Sequence, residues 1–219
     1  LQAAHQGYPP AQLRLGRMLA EGFGVEKAPA EALQWIGQAA QQGYNEAQFE
    51  LSEMLPHPDE AHHWLVKAAE NGHPLAQNVL GLAMIDQDMA QAVRCFEASA
   101  QQGCSEGQYN LGVLYYQGQG VPQDLRQAAH WFRLAAEDGH PKAQYNLATI
   151  VQDANPQLAL QLYRESAEQG LMYSQFGLGE MLADGQGCPP DPKQAEFWLQ
   201  QALEQGHPYA ADLLNRLRA

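Results

Sequence analysis

Residues 104–139, CSEGQYNLGVLYYQGQGVPQDLRQAAHWFRLAAEDG, contain two apolar patterns with helical period, separated by a glycine-rich break. In the first pattern, Gly107, Leu111 and Leu114 follow i, i+4, i+7 spacing, which places them on one face of a helix. The second pattern, DLRQAAHWFRLAAEDG, has the same kind of spacing and closes on Gly139, a residue typical of a helix C-terminus. The stretch therefore predicts a helix A, a loop and a helix B.

The same pattern recurs along the whole chain. A glycine closes each copy, at Gly7, Gly43, Gly72, Gly103, Gly139, Gly170 and Gly206. A period of about 30 to 36 residues is typical of solenoids, in which each unit packs on its neighbours. We predict an all-α, right-handed superhelical solenoid of helix-turn-helix repeats. Its parts are a partial unit 1–7, repeats 8–43, 44–72, 73–103, 104–139, 140–170 and 171–206, and a capping helix 207–219.

The two ends of the chain differ from the repeats between them. Residues 1–7, LQAAHQG, match the end of a repeat, so we expect the natural protein to extend upstream. Residues 207–219 form a lone helix A in which Ala211 replaces the recurring glutamine and Asn215 the small residue. We interpret it as the polar capping helix that solenoid ends require. We therefore expect the C-terminus to lie close to the natural one.

Equivalent positions of the repeats form columns that predict local structure. Each helix B is preceded, 15 residues before the closing glycine, by a column that includes Asp88, Asp124, Asn155 and Asp191, which we expect to be N-caps. Each helix A has a column of small residues, Gly16, Ser52, Gly81, Gly112, Ala148 and Gly179, which predicts a close helix approach. The four tryptophans, Trp35, Trp64, Trp131 and Trp198, stand eight residues before a closing glycine. We expect them to be large buried knobs.

Composition restricts the partners of this chain. The 25 acidic and 12 basic side chains leave a formal net charge of −13, which argues against nucleic acid and anionic membranes and leaves a basic partner possible. No apolar run is long enough to span a bilayer. The three cysteines fall at different repeat positions, so they predict no disulfide framework. A single Cys95–Cys104 bond stays open.

The motifs of catalysis and metal binding are absent from the sequence. GFGV and GQGV lack the strand and the lysine of a phosphate loop. His57, His62 and His63 cluster near acidic residues, but the adjacent pair points about 100° apart on a helix and has no i, i+4 partner histidine. We therefore predict no enzyme activity, no metal site and no cofactor.

Residues 111–124, LGVLYYQGQGVPQD, followed by AAHWFRLAAEDG, resemble the Sel-one-like repeat family, as does the AQYNL at 143–147. The resemblance covers the whole chain and implies short α/α repeats related to tetratricopeptide units. It also implies an adaptor for protein assembly in a bacterial envelope, secretion or signalling system. Some cysteine-rich family members are connected with peptidoglycan-like or β-lactam ligands, but this chain lacks their regular cysteine pairs.

Two columns of helix A have alternative interpretations. The glutamines Gln12, Gln48, Gln77, Gln108, Gln144 and Gln175 form either a ligand ladder or hydrogen bonds to the backbone of a neighbouring helix end. The next column, which contains Tyr109 and Tyr145, forms either a peptide groove or part of the core.

The remaining positions of helix A are the candidates for partner binding. We expect a protein or peptide to bind the concave face through Arg14, Arg17, Glu50, Glu53, Tyr109, Asn110, Tyr145, Asn146 and Glu180. The predicted function is a non-catalytic scaffold; the alternative is a cell-wall or β-lactam-related ligand binder or hydrolase. Abundant glutamine and only four lysines favour a bacterial periplasmic or secreted setting.

Overall fold

The structure, a computed structural model, describes residues 2–218 as a series of helices. The helices A are α2 (Pro9–Glu21), α4 (Asn45–Met54), α6 (Pro74–Met84), α8 (Ser105–Gln117), α10 (Pro141–Val151) and α12 (Met172–Asp184). The helices B are α3 (Pro29–Gln41), α5 (Pro58–Glu70), α7 (Met89–Gln101), α9 (Leu125–Glu137), α11 (Pro156–Glu168) and α13 (Pro192–Glu204). A short α1 (Gln2–His5) precedes them and α14 (Ala210–Arg218) follows. Leu1 and Ala219, the outer residues of the predicted partial unit and capping helix, lie outside the described residues.

The helices group into two compact units, residues 1–107 and residues 108–219. In the first unit, each helix from α1 to α6 packs on the helix that follows it in the chain. In the second unit, α9 to α13 each pack on the helix that follows, up to α14. The predicted all-α repeat architecture is confirmed, because the described elements are helices and they pack in chain order within each unit.

The helix boundaries follow the predicted capping residues. Asp88, Asp124, Asn155 and Asp191 each accept a hydrogen bond from a backbone N–H in the first turn of a helix B. Glycines with positive φ end the long helices A, for example Gly22 at φ 78° after α2. Only glycine adopts this left-handed conformation without strain, which explains its recurrence at these ends.

The small column of helix A receives a large side chain from helix B of the same repeat. A Cβ atom added at Gly112 would lie 2.7 Å from Cδ1 of Phe132, and one added at Gly81 would lie 2.8 Å from Cε1 of Phe96. The glycines therefore allow the ring to contact the helix backbone. Phe96 and Phe132 are completely buried, so this contact is the centre of the repeat.

The prediction that tryptophan is the buried knob is wrong. The knob is the following residue: Ile36, Phe96, Phe132 and Leu199 are completely buried, whereas the four tryptophans are only half-buried. Adjacent residues point about 100° apart on a helix, so the two cannot both face helix A. Trp35 instead lies against the segment that precedes its repeat, beside the ring of His5, with the centroids 5.1 Å apart.

The glutamine column joins consecutive repeats. Gln48 donates from Nε2 to the carbonyl oxygen of Ala40 at 3.0 Å and accepts from Nδ2 of Asn71 at 2.8 Å. In the second unit, Gln175 makes the same two contacts with Ala167 and Gln205. Both glutamines are buried. The backbone-binding interpretation is therefore the correct one for these side chains, because their polar atoms are used inside the protein.

Candidate functional site

The helix A face, defined as the positions two and five residues beyond the recurring glutamine of each helix A, carries most of the predicted binding residues. In the first unit, Arg14, Arg17 and Glu53 are exposed and Glu50 is half-buried. The opposite side of the same helices holds the buried glutamine and leucine columns, for example Gln48 and Leu51 in α4. Helical periodicity therefore leaves these charged positions in contact with solvent.

The structure brings two of these charges together. Nε of Arg17 on α2 lies 2.6 Å from Oε2 of Glu50 on α4, so the ion pair joins neighbouring helices A. The side chains are 54% and 21% exposed, and a pair with this much solvent contact contributes only about 0.2–1 kcal/mol. Arg14 and Glu53 make no ion pair within residues 2–218, so their charges are available to a partner.

In the second unit the helix A face carries the amides of Asn110 and Asn146, and aromatic rings of the adjacent column border it. Tyr109 stacks on His140 with centroids 4.6 Å apart, and burial raises the pKa of the Tyr109 hydroxyl while a hydrogen bond with the Asn146 side chain opposes this shift. Tyr145 lies 6.0 Å from the rings of both Tyr163 and Tyr173. The predicted residues Tyr109, Tyr145 and Asn146 are thus neighbours, and each is half-buried, as is Asn110.

Glu180 lies at a separate concavity of the second unit. It lines a pocket of ≈ 290 Å³ between α12 and α14, together with Phe176, Tyr209 and Arg216. Burial raises the pKa of the Glu180 carboxyl, and the nearby Asp184 carboxylate adds to this effect. Glu180 therefore binds a proton more readily than an ordinary surface glutamate.

Sequence reasoning missed the ring partners of the aromatic column. Phe49 stacks on His73 at 4.5 Å and Phe176 on His207 at 4.1 Å, as Tyr109 does on His140. Each histidine precedes a proline and begins the next repeat. The amino-acid sequence contains a signal for this stacking, because each repeat that is followed by a histidine at the start of the next repeat has an aromatic residue in this column. Much of the aromatic column is therefore used in packing between repeats.

The other candidate groups do not assemble into a reactive centre among the residues described. His57, His62 and His63 are exposed, and within residues 2–218 no group of three His, Cys, Asp or Glu side chains is close enough to hold a metal ion. Cys95, Cys104 and Cys188 are free thiols. The described helices have at most 13 residues, and none has an apolar stretch that would reach across a bilayer.

The repeat geometry agrees with one family. The model of the Sel1 repeat matches residues 9–44, 45–73, 75–104, 105–140, 141–171 and 173–207. The chain belongs to the Sel1 repeat family. Sel1 repeat proteins are generally non-catalytic scaffolds for protein–protein interaction.

Solved and curated Sel1 relatives show how much of each protein is shared. A protective antigen of uropathogenic Escherichia coli is 32% identical, with a TM-score of 0.82 over 98% of this chain and 50% of that one. A Sel1 repeat protein from Oxalobacter formigenes is 30% identical, with a TM-score of 0.75 over 90% of this chain and 86% of that one. An uncharacterized protein of Neisseria meningitidis is 33% identical over 127 residues, which are 55% of this chain and 27% of that protein. The chain thus spans about a quarter of this curated relative.

Proposed function

We propose that this Sel1 repeat chain is a non-catalytic scaffold that binds a protein or peptide partner on its helix A face. In the first unit the contact residues are Arg14, Arg17, Glu50 and Glu53. In the second unit they are Asn110, Asn146 and Glu180 on this face, and Tyr109 and Tyr145 in the column beside it. The proposal requires neither a cofactor nor a nucleic acid.

The contrast between recurring and varying columns carries this proposal. The buried glutamine is the same in all six repeats, and its contacts explain why. The column that begins at Arg14 instead contains Arg14, Glu50, Val79, Asn110, Asn146 and Gly177. None of these residues belongs to the buried core: Arg14 and Val79 are exposed and the other four are half-buried. Their variation is what a surface that selects one partner needs.

The setting that we propose is a bacterial envelope, secretion or signalling system. The chain is 32% identical to a protective antigen of uropathogenic Escherichia coli, and this relative favours the envelope or a secreted location over the cytosol. We do not propose nucleic acid or anionic lipid as a partner, because the net charge of −13 repels both. The partner that we propose is therefore a segment of another protein.

A capture experiment tests the proposed binding face. The purified chain, immobilised, should retain one partner from extracts of its own bacterium, and Arg14→Glu with Arg17→Glu should reduce this retention by about tenfold or more, because the reversed charges repel what the arginines attract. Arg133→Glu with Arg164→Glu is the matched control, since both arginines are exposed on helices B. Equal retention by both double variants would show that the partner binds elsewhere.

A turnover assay tests the absence of catalysis. Purified protein incubated with muropeptides or with a chromogenic β-lactam should produce no hydrolysis above the rate in buffer. Turnover that follows the protein concentration would overturn the scaffold proposal in favour of the hydrolase alternative. Binding of a muropeptide without turnover would support the ligand-binder form of that alternative.

A further inference from the structure

The outward face of α6 carries an apolar stripe. Leu75, Val79 and Leu82 are 39%, 40% and 48% exposed, and their i, i+4, i+7 spacing places them on one side of the helix. Single exposed apolar side chains are ordinary, but a contiguous group marks an interaction surface. Val79 and Leu82 occupy the same columns as Glu50 and Glu53 one repeat earlier. The stripe is therefore part of the helix A face.

An acidic stripe lies at the equivalent positions of α4. Glu46, Glu50 and Glu53 have the same i, i+4, i+7 spacing as the leucine and valine residues of α6. Glu46 accepts a hydrogen bond from the Tyr44 hydroxyl at 2.8 Å, and Glu50 pairs with Arg17. Glu53 is exposed and has no ion pair within residues 2–218. It is the carboxylate of this stripe that a partner can still neutralise.

A pocket connects the two stripes. It has a volume of ≈ 350 Å³ and is bordered by Glu53 of α4 and Val79 of α6. Its apolar lining includes the side chains of Phe49, Pro58 and Leu65. A cavity of this size and lining accepts a large apolar side chain, and burial of such a side chain is the usual centre of a binding hot spot.

We propose that this surface, the α4–α6 groove, binds an amphipathic helix of a partner protein that carries lysine or arginine along one edge. Seven residues of helix rise by about 10 Å, so an apolar face with i, i+3/i+4, i+7 periodicity matches the length of the α6 stripe. One apolar side chain of the partner fills the pocket, and its basic edge contacts Glu53. Acidic segments and anionic lipid are repelled by the α4 stripe. This inference rests on the proposed function and names the class of partner segment for the α4–α6 groove alone, apart from the segment that contacts Arg14 and Arg17.

A model peptide tests the apolar part of the groove. The probe is a fluorescein-labelled peptide of roughly 14 leucine and lysine residues with leucine at helical spacing, measured by fluorescence anisotropy at about 0.15 M salt. Val79→Ser with Leu82→Ser should weaken the peptide affinity by about tenfold or more, because it removes the apolar contact. Leu125→Ser, at a leucine 51% exposed on α9, should leave the affinity unchanged. Equal affinity for the double variant would overturn the proposal.

A charge reversal tests the acidic part. Glu53→Lys should weaken binding of the lysine peptide several-fold and strengthen binding of a matched leucine–glutamate peptide. Glu137→Lys makes the same change of net charge at an exposed position of α9. If Glu137→Lys has as large an effect as Glu53→Lys, the peptide is held by overall charge alone and the groove proposal is wrong. Circular dichroism of each variant checks that the repeats remain folded.

Three further outcomes separate this inference from the proposed function. Light scattering that shows a dimer of the wild-type chain, lost in Val79→Ser with Leu82→Ser, would mean that a second copy occupies the groove, and it would overturn the assignment to a partner helix. If a cellular partner is retained through Arg14 and Arg17 but the model peptide does not bind, only this inference is wrong and the proposed function stands. If the chain binds neither the model peptide nor a cellular partner, the scaffold proposal is wrong as well.

Discussion

The two units have the same interior and different surfaces. In residues 1–107, Gly81 receives Phe96 and Gln48 joins two repeats, and in residues 108–219 Gly112 receives Phe132 and Gln175 makes the same contacts. Their helix A faces share no such pattern. The first unit presents charged and apolar stripes, whereas the second presents amides and aromatic rings. The repeat therefore constrains the buried residues, whereas the residues at its surface can differ from one repeat to the next.

Removal of the buried ring from each unit tests whether the two interiors are equivalent, and it should have the greatest effect on stability. Phe96→Ala and Phe132→Ala should each lower the free energy of unfolding by about 3–5 kcal/mol, because each removes a completely buried ring. Trp131→Ala should lower it by less, since the indole is half-buried. Urea denaturation followed by circular dichroism measures all three. A loss for Trp131→Ala as large as that for Phe132→Ala would restore tryptophan as the central knob.

The second effect tests the close approach of helices A and B in each unit. Gly81→Leu and Gly112→Leu should lower the free energy of unfolding by about 1–3 kcal/mol or more, because an added side chain meets a completely buried ring. Gly37 is the control, since a Cβ added there in α3 has no neighbour within 4 Å. Gly37→Ala should raise the free energy of unfolding by about 0.5–1 kcal/mol through helix propensity. Unchanged thermal midpoints for both leucine variants would contradict the packing described for the small column.

The third effect compares the helix B caps of the two units. Asp88→Ala and Asp124→Ala should each lower the free energy of unfolding by about 0.5–2 kcal/mol, because each leaves a first-turn N–H group without its acceptor. Asparagine at the same positions should restore most of the loss, since its side-chain oxygen also caps. A full loss with asparagine would mean that charge, rather than the hydrogen bond, stabilises these helix ends.

The smallest effect tests the difference between the surfaces. A double-mutant cycle of Arg17→Gln and Glu50→Gln should give a coupling of about 0.2–1 kcal/mol, which decreases in high salt because the pair is exposed to solvent. Asn146→Ala in the second unit removes a contact between polar side chains and should show no such salt dependence. If the coupling in the first unit also stays constant with salt, the charged character assigned to its surface has no energetic role.

Much of the helix arrangement could be predicted because its signals are local. Asp124 and its equivalents cap the helix that follows them, and Gly22 ends the helix that precedes it. The partner-binding residues and the single-solenoid organisation stay predictions. The Arg17–Glu50 pair and the pocket beside Val79 could not be foreseen, because they depend on side chains separated by about 30 residues meeting across neighbouring helices.

The number of repeats, the positions of their caps and the places where a small residue is needed can be read from the amino-acid sequence, since each follows from spacing and backbone conformation. The entry of Phe132, and not Trp131, into the glycine column is a result of the packing of helix A on helix B. Both residues are apolar and adjacent, so helical periodicity admits either one. The physical reason is that the direction from which helix A approaches helix B selects one of two side chains about 100° apart, and that direction exists only in the packed repeat.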